Sequence, residues 1–135
     1  MKPLIKAFRE AGWWAAHLSP ASHTGYPDID ACRDWYYCKI ECKDISDIKL
    51  AAKIATVMTK WQIPWMTKYL MKNGGNLFIV LYSDFANIFY VRKIETHSEA
   101  MLLADITIGC LIQKCESRVE PREVVRLIKS MVTKP

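Results

Sequence analysis

The chain lacks any apolar run long enough to cross a bilayer: the longest, residues 77–82, falls far below the ~20 residues a spanning helix requires. Its opening, Met1-Lys2-Pro3, also lacks the extended apolar region of a secretory signal, so a cytoplasmic protein with no membrane partner is expected. The five cysteines, Cys32, Cys38, Cys42, Cys110 and Cys115, contain no CxxC pair, which argues against a zinc site. Their odd number and apolar settings suit reduced thiols rather than a disulfide framework. Internal repeats, low-complexity stretches and blocks of like charge are missing too, which excludes a tail or linker.

What is present fits one domain, 1–135, because a chain of 135 residues with 51% hydrophobic content can bury a stable core. The net charge of +5 is dispersed along the sequence. Such an excess suits a polyanionic partner, and equally a plain basic surface that serves solubility.

Leu4, Ile5, Phe8, Ala11 and Trp14 recur at helical spacing and predict an amphipathic helix over 3–15, opened by Pro3. Turn formers crowd 19–27 and predict a loop that delivers Asp28 to a strand. Asp28-Ile29-Asp30-Ala31-Cys32 alternates polar and apolar residues, Arg33-Asp34 makes a short connection, and 35–43 is aromatic and β-prone. Together they predict a hairpin. Ser46-Asp47 reads as the cap of a helix carrying Ile48, Ala51, Ala52, Ile54, Ala55 and Met58. A further helix is expected from Gln62, with Pro64 in its first turn and Gly74-Gly75 as its stop. Residues 77–82 predict a central strand and 88–92 a neighbour; 98–103 reads as a short helix, 106–112 fits strand or helix, and Pro121 opens a last helix. The order predicts an α/β fold in which helices cover one sheet.

The chemistry concentrates in the hairpin. In an extended strand Glu41 and Lys43 point to one face, with Cys42 between them on the other. Asp28 joins them only if the hairpin register puts it on that face, which alternation alone does not fix. Two carboxylates and a backbone carbonyl suit a hard divalent cation such as Mg²⁺ or Mn²⁺. A neighbouring ammonium suits a phosphodiester and its attacking water. His23 lies in the loop that enters this place, and Lys39, Lys49 and Lys53 are candidate phosphate contacts. The tryptophans read as core or interface, and exposed ones could stack on unpaired bases.

Gly25-Tyr26-Pro27-Asp28, followed after twelve residues by Glu41-Cys42-Lys43, resembles the PD-(D/E)XK nuclease superfamily. The closer resemblance is to small Holliday-junction resolvases, the phage endonuclease I group, for which Ser22-His23-Thr24 adds support, and VRR-NUC nucleases. It covers roughly residues 4–93. It implies a single restriction-endonuclease-like domain: a central mixed sheet with an antiparallel meander, flanked by helices. It implies Asp28 and Glu41 as metal ligands, the Cys42 carbonyl as a further ligand, Lys43 as the catalytic lysine and Gln62 as a residue that shapes the site. Relatives often carry an acid early in the first helix. Here that turn reads Lys2-Pro3-Leu4-Ile5-Lys6, which leaves a second metal to Glu10 or Asp30.

The activity so implied is a Mg²⁺- or Mn²⁺-dependent DNA endonuclease, selective for branched DNA and paired as a homodimer to cut two strands. A phage-encoded protein would act in the host cytoplasm. The alternative is a module that keeps the nuclease fold and binds nucleic acid without cutting it; a third reading is a protein-interaction factor whose aromatics form an interface.

Overall fold

Leu4, Ile5, Ala7 and Phe8 line the buried side of helix α1 (Lys2–Glu10) in the computed structural model, which describes residues 2–18 and 25–133. The helix ends at Glu10 rather than near residue 15 because Gly12 adopts a left-handed conformation, φ 87°. The Gly12 N–H donates to the Arg9 carbonyl at 3.0 Å and the Trp13 N–H to the Phe8 carbonyl at 2.9 Å, the double closure of a Schellman motif. The Phe8 and Trp13 rings meet edge-on across it, centroids 5.4 Å apart. The chain then runs into strand β1 (Trp14–His17), so Trp14 belongs to a strand and not to the helix its spacing suggested.

The expected hairpin forms from β2 (Ile29–Arg33) and β3 (Tyr36–Asp44), with Asp34 at positive φ in the two-residue turn. Residues 46–58 do not form the expected helix; they make turns and one 3₁₀ segment, Ile54–Val57. Their hydrogen bonds go elsewhere: Ile54 N–H to the Ile106 carbonyl, Ile108 N–H to Ala52 and Gly109 N–H to Leu50. Ser46 is no cap either, because its Oγ accepts from the Asp84 N–H at 2.8 Å.

Helix α2 (Gln62–Met71) carries Pro64 in its first turn, as expected, and leads to β4 (Leu77–Ser83) and β5 (Ile88–Ile94). Helices α3 (His97–Leu102) and α4 (Ile108–Gln113) are capped by the Thr96 and Thr107 hydroxyls. A short strand β6 (Glu116–Arg118) precedes α5 (Pro121–Met131).

The six strands form one sheet in the order β1-β2-β3-β4-β5-β6. Strands β1, β2 and β3 are an antiparallel meander, β3 and β4 run parallel, and β4, β5 and β6 are antiparallel again. The result is an α/β fold with a single mixed sheet flanked by helices. Strand β4 is buried on both faces: Phe78 and Val80 pack beneath α1 and α5, Leu77, Ile79 and Leu81 beneath the layer of α2, α3 and α4. This explains its continuous apolar run. Among the described residues no helix is long and apolar enough to cross a membrane.

Candidate active site

Strands β2 and β3 pair from Arg33 opposite Tyr36 to Ile29 opposite Ile40, and there the two part. Strand β3 continues to Asp44, while the Asp28 carbonyl stays with β1 by accepting from the Leu18 N–H at 2.8 Å. In the fork the Cys42 N–H, with no β2 backbone to meet, donates to Asp28 Oδ2 at 2.7 Å. A residue in a strand turns its N–H and C=O to the same side, so the Cys42 carbonyl faces the fork as well. The Asp28 carboxylate so held lies beside the Glu41 carboxyl, close enough to act on it. Proximity to Glu41 therefore comes from the fork and not from strand register.

Glu41 is fully buried. Its Oε1 accepts from Lys43 Nζ at 3.2 Å and from Gln62 Nε2 at 3.0 Å, whereas its Oε2 is buried with no hydrogen-bond partner. Gln62 is held in turn, since its Oε1 accepts from the Thr59 N–H at 2.9 Å. Burial, reinforced by the charge of the Asp28 carboxylate alongside and by the proton the two carboxyls can share, pushes the Glu41 carboxyl from 4.5 up to about 8, and Lys43 offsets only part of this. A divalent cation held by Glu41 and Asp28 would give the buried Glu41 carboxylate a partner and reverse that shift. The residues present therefore fit the cation that the resemblance implies.

No protein-family model matches the chain, and no curated protein matches it.

A cavity of about 560 Å³ opens beside the fork, lined by Asp28, Cys42, Lys43, Asp44 and, from the first turns of α1 and α5, Pro3 and Pro121. The other candidates are distributed as follows. Glu10 sits at the far end of α1, exposed and 3.8 Å from Lys6, and lines a different concavity from Asp28. Asp30 is bound to Lys39 at 2.8 Å with both side chains nearly buried. Lys39 also donates to the Tyr37 hydroxyl at 2.9 Å, so it is committed to protein partners and not presented to a phosphate. Burial alone would lower its pKa, but the bonds to Asp30 and Tyr37 hold it above the ordinary lysine range. Lys49 and Lys53 are exposed on the segment after β3. Lys53 lies 3.8 Å from Asp105. His23 and its neighbours Ser22 and Thr24 fall outside the described residues. Trp13 is core, while Trp14, Trp35 and Trp61 are exposed.

Sequence reasoning missed what anchors Asp28. Gly25 has φ 68°, and a Cβ there would stand 2.1 Å from the Trp61 carbonyl oxygen, immediately before Gln62. Tyr26 packs on Trp65 with centroids 4.9 Å apart, and Lys39 Nζ lies 4.8 Å from the Tyr26 ring. The segment leading to Asp28 is thus clamped to the start of α2, which also supplies Gln62. Gly25→Ala is expected to cost on the order of 2 kcal/mol through strain. It should also weaken Mn²⁺ binding, because the clamp and Asp28 move together. Denaturant melts with and without Mn²⁺ check both, and parental values for both would contradict the anchoring role.

Proposed function

We propose that the chain is a divalent-cation-dependent DNA endonuclease of the PD-(D/E)XK kind, acting on branched DNA. The observation that carries the reading is the buried, unpartnered Glu41 Oε2 beside Asp28, with Lys43 at the mouth of the same fork. Asp28, Glu41 and the Cys42 carbonyl would hold Mg²⁺ or Mn²⁺, which supplies Lewis acidity and a more acidic bound water.

The chain's own residues do the rest. Gln62, locked by Thr59, fixes the Glu41 carboxylate. Glu41 in turn holds the Lys43 ammonium at the cavity, where it can orient water and balance the charge that builds on a phosphate in transit. Glu10 is remote and Asp30 neutralised by Lys39, which supports a single cation. Selectivity would come from backbone shape and from a second copy that cuts the opposite strand.

A second reading, a nucleic-acid-binding module that retains the fold without cutting, draws on one observation. Among the described residues no three His, Cys, Asp or Glu side chains cluster as a metal site. The two readings separate in a cleavage assay on supercoiled, linear and four-way-junction DNA with Mg²⁺, Mn²⁺ or EDTA. Cutting with either cation, strongest on the junction and abolished by EDTA, is expected. Cutting that survives chelation removes the cation mechanism, and salt-dependent binding without cutting under either cation favours the module.

A further inference from the structure

Helix α1 begins at the cavity and runs away from it. Pro3, in its first turn, lines the cavity together with Asp28 and Lys43. Lys2, Lys6 and Arg9 follow at the spacing of one helical face, opposite the buried Leu4, Ala7 and Phe8. They line a second concavity of about 730 Å³ with Glu10 and His17. His17, at the end of edge strand β1, lines both concavities, which therefore lie side by side there. Elsewhere the first cavity is rimmed by Asp44 and Glu120, which repel a polyanion. The charge around the fork is therefore lopsided, with three basic side chains gathered on the α1 flank.

We propose that the basic face of α1, with His17, is the track that holds the substrate strand beside the scissile phosphate. This rests on the nuclease reading and adds where the DNA lies. Lys2 and Arg9 are separated by about 10.5 Å along the helix axis. A duplex strand rises about 3.4 Å along its axis per phosphate and winds around that axis as it does so, so its phosphates lie farther apart than the rise alone. Lys2, Lys6 and Arg9 thus span a short run of neighbouring phosphates on one backbone. Arg9 is pre-oriented, since its Nε and Nη2 donate to the Ala15 carbonyl at 3.1 and 2.9 Å and leave its other donors for an acceptor. The Lys6 and Glu10 pair is exposed at both ends, and such a contact is readily exchanged for a phosphate.

The test uses Lys2→Ala/Lys6→Ala, neither residue being buried, against Lys72→Ala/Lys129→Ala, an equal loss of charge from the exposed ends of α2 and α5. Binding of a labelled four-way junction is followed by anisotropy over a salt series with Ca²⁺ replacing Mg²⁺. The α1 pair is expected to lose about tenfold in affinity and to lower the slope of log K against log salt by about 2. In cleavage, KM should rise by a similar factor with kcat unchanged. A protein that cleaves, but whose α1 pair binds no worse than the control pair, overturns the track and leaves the nuclease reading standing. A parent protein that neither binds nor cleaves DNA overturns both.

Discussion

Asp28→Asn is expected to fold as the parent does and to lose cleavage by ~10³-fold or more, the scale seen when a preorganised electrostatic group is removed whole. The substitution separates two jobs. The amide oxygen of asparagine still accepts from the Cys42 N–H, the bond that closes the fork at 2.7 Å, so β3 keeps its course. What disappears is the negative charge beside the buried Glu41. A cation site left with a single carboxylate, itself already drawn toward its protonated form, holds Mg²⁺ far less tightly. Two measurements check this: single-turnover cleavage of junction DNA, and the rise in melting temperature on adding Mn²⁺. The first should collapse and the second vanish while the cation-free melting temperature stays within a few degrees of the parent. Parental cleavage by Asp28→Asn would remove Asp28 from the mechanism.

Much of the fold was legible because its signals are local. The continuous run 77–82, the Pro64 and Pro121 starts and the Gly74-Gly75 stop each act within a few residues, and β4, α2 and α5 stand where these signals put them. The misses share another cause. Trp14 fits the helical stripe of Leu4 and Phe8, yet Gly12 turns the chain before that stripe can continue. Ser46-Asp47 looks like a cap, but the following segment bonds to the chain around Ile106 and Gly109, partners more than fifty residues away. In the site, alternation alone put Glu41 and Lys43 on one face; the place of Asp28 needed the fork, where the Cys42 N–H binds its carboxylate. The same alternation put Lys39 with them, and nothing local tells which lysine meets water. Aromatics from β3, α2 and the segment before β2, namely Tyr37, Trp65 and Tyr26, surround Lys39 and leave Lys43 as the cation at the cavity.

The cation-free protein is expected to lose stability as pH rises from about 5 to 8, and a divalent cation to abolish that loss. In the folded protein the Glu41 carboxyl is raised to about 8 from its ordinary 4.5, so between these values the native state binds more protons than the unfolded chain. Stability from this group is then fully present below pH 4.5 and lost as pH passes through 8. The slope approaches about 1.4 kcal/mol per pH unit at its steepest. Asp44, held below the usual carboxylate range by Ser46, titrates lower, and the Cys38 and Cys115 thiols, pushed up by burial to about 12 and about 11, titrate higher. Glu41→Gln should flatten the profile, make the cation-free protein more stable than the parent at pH 8 and remove the response to Mn²⁺. Because the parent must release the Glu41 proton to take up a cation, its apparent Mn²⁺ affinity should rise nearly tenfold per pH unit below 8 and level off above. Calorimetry in two buffers of different ionisation enthalpy reads the released proton directly. A binding enthalpy that does not depend on the buffer at pH 7 would mean that Glu41 is already ionised, and the orphaned Oε2 would then need another explanation.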